Sequence, residues 1–153
     1  MSKKGEYIID LSNKVVKWLK PYCTRIKITG SIRRKVRNPE DIDLVLIPKD
    51  REELENFLMK KGKRVRGGEH QAVFKIKGVK VELFYTVPEE WGAALLAYSS
   101  EQGAEIGLRL FAKRKGFKLS QHGLFKGNKK IAGRTEREIY EALGKKWKKP
   151  ENR

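Results

Sequence analysis

The stretch Asp41-Ile42-Asp43-Leu44-Val45-Leu46-Ile47 decides the fold, because two carboxylates enter an otherwise apolar run. The pattern predicts a β-strand, and side chains alternate between the two faces of a strand. Asp41 and Asp43 are therefore expected on one face, and the other face takes Ile42, Leu44 and Leu46. Neighbouring carboxylates repel each other unless a cation or a basic partner neutralises them. Paired oxygen ligands suit Mg²⁺, although an isolated Asp-x-Asp is more often solvated at the start of a strand.

A third carboxylate, Glu82, lies inside a second predicted strand, Val79-Lys80-Val81-Glu82-Leu83-Phe84-Tyr85. The alternation places Glu82 on the face opposite the apolar residues, beside Lys80 and Phe84. If this strand pairs next to residues 41–47, the three carboxylates converge. Without that pairing, Glu82 is an ordinary exposed strand residue.

The segment Gly30-Ser31-Ile32-Arg33-Arg34 precedes the two aspartates. A glycine at a strand end lets a phosphate approach the backbone, a serine hydroxyl can donate to it, and arginine can bind it in a fork. A basic loop over 33–37 is usually only solvated. Its proximity in sequence to a carboxylate pair makes phosphate binding the more specific interpretation.

Length and composition point to a basic, folded protein of the size usual for one domain. The chain has 153 residues, of which 36 are Lys or Arg and 19 are Asp or Glu, giving a formal net charge of +17. Such a charge suggests a polyanionic partner, and a heat-adapted, lysine-rich surface is the competing explanation. With 39% hydrophobic residues the chain can build a core and is not a disordered basic tail. The single Cys23 excludes an internal disulfide framework and indicates an intracellular protein, and no apolar run is long enough to span a membrane.

The predicted elements describe an α+β protein with a mixed sheet and helices, followed by a smaller α+β lobe. A seam near Val87 divides the chain into residues 1–87 and 88–153. Ser99 is expected to cap the predicted helix over 102–115, and Gly116 is expected to end that helix. Predicted helices cover 7–19, 50–61, 88–98, 102–115 and 135–143, and predicted strands cover 25–29, 41–47, 72–76, 79–85, 117–120, 124–125 and 130–131.

The segment 30–34 followed by Asp41-Ile42-Asp43 closely resembles the nucleotidyltransferase motif of the family X DNA polymerases, the DNA polymerase beta group. The resemblance continues in order almost to Arg153. Its further motifs are Val81-Glu82-Leu83, Trp91-Gly92-Ala93-Ala94-Leu95-Leu96-Ala97-Tyr98, Arg109, Lys115-Gly116-Phe117-Lys118-Leu119 and the helix over 135–144.

This resemblance implies a nucleotidyltransferase palm over 1–87 and a C-terminal subdomain, equivalent to thumb or fingers, over 88–153. It implies a template-directed DNA polymerase of the repair, gap-filling type, which transfers dNMP from a dNTP to a primer 3′-hydroxyl. The reaction would use two Mg²⁺ ions about 3.5–4 Å apart, with Mn²⁺ as an alternative. The expected partners are primer–template or gapped DNA and a dNTP, with no membrane and a monomeric protein.

The resemblance also assigns roles to residues. Asp41, Asp43 and Glu82 match the metal-binding carboxylates, and the third also helps to deprotonate the primer 3′-hydroxyl. The residues that match the nucleotide-binding positions are Gly30, Ser31, Arg34, Tyr98 and Arg109. Lys80 matches a basic position near the primer terminus, and Lys113 and Arg114 are expected DNA contacts. Further candidate phosphate contacts are Lys35, Arg37, the run 60–64, Lys115 and the tail 145–149.

Three departures from the family pattern are visible. Glu82 stands where the family usually has Asp, so its extra methylene can shift metal geometry or lower the rate. Ala97 and Ser100 stand where an aromatic residue and a glycine are common, which leaves the choice between dNTP and rNTP open. Segments resembling the lyase and helix-hairpin-helix domains are not found, so lyase activity is not expected.

Two other functions remain open. One is a nucleotidyltransferase that acts on RNA, a protein or a small molecule through the same aspartates. The other is a catalytically weak nucleic-acid-binding repair factor. The expected location is intracellular, in the cytoplasm or nucleoid, or in a virion if the source is viral.

Overall fold

The computed structural model describes all 153 residues, which form two compact units, Met1–Tyr85 and Thr86–Arg153. No helix in the chain is both long and apolar enough to cross a membrane. The first unit contains the five-stranded mixed sheet and the second contains a three-stranded antiparallel sheet with helices. The α+β class predicted from the sequence is confirmed.

The first unit is built around a sheet of strand order β1-β2-β5-β4-β3. Strands β2 and β5 pair in parallel, and the other neighbours pair antiparallel. Its elements in chain order are α1 (Lys3–Leu19), a 3₁₀ turn (Lys20–Tyr22), β1 (Cys23–Thr29), α2 (Gly30–Arg33), β2 (Ile42–Pro48), α3 (Arg51–Met59), β3 (Lys63–Gly67), β4 (Gln71–Ile76) and β5 (Val79–Tyr85).

One face of this sheet carries the core of the unit. Helix α1 contributes residues spaced three or four apart, which places them on one stripe of the helix. The central strands contribute alternate residues, as the period of two requires. The buried cluster includes Ile8, Leu11, Val15 and Leu19 of α1, Leu54 and Leu58 of α3, Ile42, Leu44 and Leu46 of β2, and Val79, Val81 and Leu83 of β5. The opposite face carries Asp43 and Glu82 together with the buried apolar side chains of Val45, Val73 and Phe84.

Two short connections in the first unit follow from local chemistry. Asp50 caps α3 by accepting a hydrogen bond from the backbone N–H of Glu53 at 3.1 Å. The turn between β4 and β5 consists of Lys77 and Gly78, which have φ angles of 50° and 80°. Positive φ at both positions is the geometry of a two-residue hairpin turn. The predicted hairpin is confirmed.

The structure corrects several boundaries in the first unit. Helix α1 begins four residues before the predicted start, because Ser2 caps it by accepting from the N–H of Gly5 at 3.0 Å. Residues 30–33 form a helical turn, so the expected basic loop begins after it. Asp41 is exposed and immediately precedes β2, outside the strand in which it was expected. Strand β3 was not predicted, because all five of its residues are exposed at the sheet edge and show no apolar alternation.

The second unit packs its helices on a small three-stranded sheet. Its elements are a 3₁₀ turn (Pro88–Glu90), α4 (Trp91–Ser99), α5 (Gln102–Arg114), β6 (Lys118–Ser120), β7 (Gly123–Lys126), β8 (Lys129–Ala132), α6 (Glu136–Ala142) and a final 3₁₀ turn (Pro150–Asn152). Ser99 belongs to α4 and does not cap α5, whose N-cap is Glu101 without a side-chain hydrogen bond. Gly116 ends α5 at φ 84°, as predicted.

Close backbone contact joins α4 to the segment before α6. The N–H groups of Gly92 and Ala93 donate to the carbonyls of Arg134 and Gly133 at 3.1 and 3.0 Å. These bonds satisfy two of the donors that the start of a helix leaves open. A β-carbon on Gly92 would lie 2.2 Å from the carbonyl carbon of Thr135. Only glycine fits at this crossing.

Candidate active site

The site begins with the register of two neighbouring parallel strands. Asp43 of β2 pairs with Glu82 of β5, so their side chains stand side by side on the face opposite the core. On the other side of β2, Thr29 at the end of β1 pairs with Asp43. The convergence of the carboxylates depended on the strand over 79–85 pairing next to residues 41–47. The structure contains that pairing, between β5 and β2.

Gly30 lies directly against Asp43. Its φ is +61°, and a β-carbon built on it would lie 2.0 Å from Oδ2 of Asp43 and 2.8 Å from Cγ. Glycine is therefore required here for two reasons, the left-handed backbone and the lack of space. The helical turn α2 begins at this point, so the backbone of the phosphate-binding motif starts in contact with the carboxylate.

Asp43 is the electrostatic centre of the site. Its pKa is raised to about 6, first by burial and then by the negative charges of Glu82 and Asp41, while Lys80 and Arg34 oppose the rise. The other two predicted carboxylates therefore both act on Asp43, although Asp41 lies outside the strand. Burying a charge beside like charges is unfavourable, and a bound cation removes that cost.

Glu82 is held by two side chains of its own sheet face. The Nε2 of Gln71 donates to its Oε2 at 3.2 Å, and the Nζ of Lys80 lies 3.6 Å from its Oε1. Its side chain is 16% exposed, so these contacts fix the carboxylate rather than leave it in solvent. Gln71 is a site residue that sequence reasoning missed. The two-residue turn at 77–78 sets the register that makes Gln71 the diagonal neighbour of Glu82, and that register was readable from the sequence.

The donor set fits a hard divalent cation by chemistry. Carboxylate oxygens are the ligands that Mg²⁺ prefers, and the pKa of Asp43 is raised first by burial and then by the two neighbouring carboxylates. In the arrangement described here, no group of three or more His, Cys, Asp or Glu side chains is gathered closely enough to hold a metal ion. Glu82 is turned toward Gln71 and Lys80, and Asp41 is exposed, so these two carboxylates must reorient to share an ion with Asp43.

The rest of the phosphate-binding motif sits on α2. Ser31 is half-buried, and its carbonyl accepts from the N–H of Val36 at 3.0 Å. Arg34 ends the helical turn by donating its N–H to the carbonyl of Gly30 at 3.1 Å, and its charge acts on Asp43. Glycine, hydroxyl and guanidinium are thus grouped on one turn that starts at the central carboxylate.

An ionic network around the buried Glu55 fixes the loop that precedes Gln71. Glu55 accepts from Arg51 at 2.7 Å, from Arg64 at 2.9 Å and from the hydroxyl of Tyr85 at 2.7 Å. Burial alone would raise the pKa of Glu55, but the hydrogen bonds from Arg51, Tyr85 and Arg64 lower it below its ordinary value. The guanidinium of Arg51 also lies 4.2 Å from the centre of the Tyr85 ring.

Arg51 connects this network to the site. Its guanidinium donates to the carbonyls of Gly68, Glu69 and Gln71 at 2.6, 2.7 and 3.2 Å. These contacts anchor the β3–β4 loop and the first residue of β4, whose side chain holds Glu82. Only the Arg51–Glu55 contact is local, one helical turn apart, whereas Arg64 and Tyr85 lie 9 and 30 residues from Glu55 along the chain, so local sequence patterns do not connect them.

The remaining predicted residues lie in the second unit, residues 86–153. Tyr98 is half-buried near the end of α4. Arg109 of α5 is paired with Glu105, one turn earlier, through contacts of 2.6 and 2.9 Å. Lys113 and Arg114 are exposed in the last turn of α5, where positive charge complements the helix dipole.

Comparison with known proteins gives matches over both units. Residues 94–153 match the family model for the DNA polymerase beta thumb. The chain is 29% identical over 149 residues to the repair DNA polymerase X of African swine fever virus (isolate Pig/Kenya/KEN-50/1950), a match covering 88% of this chain and 84% of that protein. It is 36% identical over 74 residues to DNA polymerase IV of Saccharomyces cerevisiae, covering 48% of this chain and only 13% of that protein.

The fold has a close counterpart among solved structures. The crystal structure of Leishmania infantum polymerase beta, a ternary P/T complex, superposes with a TM-score of 0.85 at 19% identity, covering 98% of this chain and 76% of that chain. At this identity the superposition establishes the fold alone. The thumb match and the viral and yeast relatives show that the chain is similar to the family X DNA polymerases, the DNA polymerase beta group.

Proposed function

We propose that this protein is a template-directed DNA polymerase of the repair type, which fills gaps by adding a dNMP to a primer 3′-hydroxyl. The observation that carries the proposal is the in-register pair of Asp43 and Glu82 with Gly30 against Asp43. It places acidic ligands and a phosphate-binding turn at one point of the sheet. The repair polymerase named among the relatives supports the same activity.

The acidic residues have distinct tasks in this proposal. Asp41, Asp43 and Glu82 would hold two divalent ions, Mg²⁺ or alternatively Mn²⁺. When bound, these ions lower the pKa of the primer 3′-hydroxyl and neutralise the phosphates of the nucleotide. Glu82 would also accept the proton of the 3′-hydroxyl, with Gln71 holding one of its oxygens at 3.2 Å.

The basic and small residues of α2 would bind the incoming nucleotide. Gly30 and Ser31 offer a backbone and a hydroxyl to the triphosphate, and Arg34 offers a planar guanidinium fork. The primer oxygen then attacks the α-phosphorus, and pyrophosphate leaves. Positioning and charge neutralisation supply most of the acceleration in phosphoryl transfer.

The remaining residues would position the DNA and the sugar. Lys80 is 3.6 Å from Glu82 and would place a positive charge near the primer terminus. In the unit 86–153, which would act as the thumb, Tyr98 and Arg109 would contact the nucleotide. Lys113 and Arg114 would neutralise DNA phosphates, and the net charge of +17 suits a partner with a charge on every phosphate.

The test is primer extension on a duplex with a one-nucleotide gap, offering each dNTP and each rNTP in Mg²⁺ and then in Mn²⁺. We expect addition of the complementary dNMP only when a divalent ion is present. Single-stranded RNA and a protein acceptor serve as parallel substrates. If the protein transferred a nucleotide to the RNA or to the protein acceptor and did not extend the gapped primer, it would be a nucleotidyltransferase of another kind and not a DNA polymerase.

A further inference from the structure

The helix side of the first unit carries an open groove that the proposed chemistry does not use. The groove has a volume of about 780 Å³ and is lined by the end of α1, the 3₁₀ turn after it, α3 with the residues that follow it, and the β4–β5 turn. Helices α1 and α3 cover the face of the sheet that packs the core, whereas Asp43 and Glu82 stand on the other face. A ligand in the groove therefore does not occupy the carboxylate site.

Three aromatic side chains form the floor of the groove. Trp18 of α1, Tyr22 of the 3₁₀ turn and Phe57 of α3 are half-buried and pack against the hydrophobic core beneath them. The rings of Tyr22 and Phe57 stack, with their centres 4.9 Å apart and their planes 29° apart. Because the core already holds the rings in place, a ligand that stacks on them costs little additional side-chain ordering.

Cationic side chains surround these rings, and no Asp or Glu lines the groove. The lysines that line it are Lys14, Lys17, Lys61 and Lys77. The Nζ of Lys61 lies 5.0 Å from the centre of the Trp18 ring and 5.7 Å from that of the Phe57 ring. The Nζ of Lys77 lies 5.8 Å from the centre of the Trp18 ring. Rings and cations therefore alternate along the groove.

The sign of the charge changes at one end of the groove. The adjoining depression shares Tyr22 and Phe57 with the groove, and its charged lining residues are Asp50, Glu52, Glu53 and Lys60. An anionic ligand is repelled by the three carboxylates there and attracted by the lysines around Trp18. The Trp18 end of the groove is therefore the part suited to a polyanion.

Two classes of partner combine negative charge with apolar surface, an acidic protein segment and a nucleic-acid strand. A strand fits this groove better, because each base offers a planar face to a ring and each phosphate offers a charge to a lysine. An acidic segment has no repeated planar group to place on the rings. In a duplex the bases already stack on one another, so only an unpaired strand can stack its bases on these side chains.

We propose that this groove binds an unpaired strand of DNA, with a base stacked on Trp18 and the surrounding lysines neutralising the neighbouring phosphates. Lys61 is exposed, and it exchanges its weak contact with the Trp18 ring for a phosphate, which frees the face of the ring for the base. Aromatic platforms between cations are the usual means of binding single strands without sequence preference. The choice of DNA over RNA rests on the proposed function, whose substrate includes a template strand.

The first experiment locates the strand by following the indole N–H resonance of Trp18 in the whole chain, without nucleotide or divalent ion. Trp18→Leu identifies this signal among those of the three tryptophans. An oligothymidylate of about twelve nucleotides, within the usual site size, should shift the resonance saturably. A blunt duplex of the same length should not shift it. No shift with the oligothymidylate, or an equal shift with the duplex, would overturn the proposal.

The second experiment measures the affinity of variants for the same oligothymidylate at physiological salt. Trp18→Leu keeps an apolar side chain on the core but removes the ring, so it should bind about tenfold more weakly, the usual loss for one stacked base. Trp18→Phe retains a ring and should lose less than about threefold. Unchanged affinity in a folded Trp18→Leu would contradict the stacking. The lysine variants keep the proposal testable if Trp18→Leu fails to fold.

The lysine variants are a matched pair on α1. Lys17→Gln should lower the slope of log affinity against log salt concentration by about 0.7, the contribution of one phosphate of a single strand. Lys3→Gln removes the same charge from an exposed position about 21 Å along the helix and should keep the slope. Equal slopes in the two variants would remove Lys17 from the site. A duplex with a one-nucleotide gap has no unpaired strand long enough for the groove, so its affinity should not change.

Two further ligands test the identity of the occupant. A polyglutamate peptide of equal charge should not shift the Trp18 resonance, and a shift equal to that with DNA would assign the groove to an acidic protein segment. Oligouridylate should bind no more tightly than oligothymidylate, and tighter binding would make RNA the occupant. No measurement here uses primer extension. An inactive polymerase that shows the Trp18 shift would contradict the proposed function alone, and an active one without the shift would contradict the groove alone.

Discussion

Gly30 packs so tightly on Asp43 that a β-carbon added to it would lie 2.0 Å from the carboxylate oxygen. We therefore expect Gly30→Ala to displace Asp43 and lower primer extension at least tenfold. The same change forces alanine to a φ of +61°, which costs about 1–2 kcal/mol of unfolding free energy. Denaturant unfolding and gap-filling rates measure the two effects.

Gly78→Ala is the control for Gly30→Ala. Gly78 has a φ of +80°, but no atom lies within 4 Å of a β-carbon built on it. It should lose a similar unfolding free energy and keep its extension rate. If both variants lost extension equally, backbone strain rather than contact with Asp43 would be responsible.

Asp43→Asn should abolish primer extension and leave DNA binding intact. The substitution keeps the shape of the side chain but removes the charge that would hold a divalent ion. Extension on gapped DNA and a parallel binding titration check both parts. Asp10→Asn removes the same charge from an exposed position, and this variant should extend the primer normally. Comparable extension by Asp43→Asn would contradict the metal-site assignment.

The raised pKa of Asp43 predicts a specific pH dependence of stability. The carboxyl ionises near pH 4 in the unfolded chain and at about 6 in the folded protein. Between these values only the folded state holds the proton, so stability without divalent ions should fall as the pH rises from about 4 past 6. The full effect is about 3 kcal/mol as an order of magnitude.

Two comparisons check that pH profile. Asp43→Asn should lack the fall in stability, and Asp10→Asn should retain it. Adding Mg²⁺ at pH 7 should raise the Tm of the unmodified chain and not that of Asp43→Asn, because a ligand stabilises only the state that binds it. A Tm shift of equal size in both proteins would place Mg²⁺ elsewhere.

Glu55→Gln should destabilise the first unit by about 1–2 kcal/mol, since it weakens charge-assisted hydrogen bonds to two arginines whose side chains are 31% and 41% exposed. Because hydrogen bonds lower the pKa of Glu55 in the folded state, its contribution is present above pH 4.5, the ordinary value, and is lost as the pH falls. Urea unfolding at two pH values measures both. Glu52→Gln, exposed on the same helix, should change stability much less.

Lys113→Ala should reduce the salt dependence of binding to gapped DNA. Each phosphate contact contributes about 0.9 to the slope of log affinity against log salt concentration, so the slope should fall by about that amount. Lys14 is exposed on α1 and is not among the expected DNA contacts, so Lys14→Ala should keep the original slope. Identical slopes for both variants and the unmodified chain would remove Lys113 from the interface.

Local periodicity is why much of the first unit could be predicted. The alternation in β2 and β5 and the helical spacing of Ile8, Leu11 and Val15 each depend on neighbours along the chain. The hairpin over 71–85 was likewise predictable, because a two-residue turn at Lys77 and Gly78 fixes its register. Strand β3 escaped prediction because it is an exposed edge with no apolar face.

By itself, the sequence determined the α+β class, the two-carboxylate motif, the motif order and the basic charge, since these depend on residue type and spacing. Tertiary structure alone decided that Asp43 pairs with Glu82, that Gly30 closes on Asp43, and that Gln71 holds Glu82. The same holds for Glu55 between two arginines and for Lys61 over the ring of Trp18. These relationships join residues distant along the chain, and strand register, burial and side-chain packing set them only once the chain has folded.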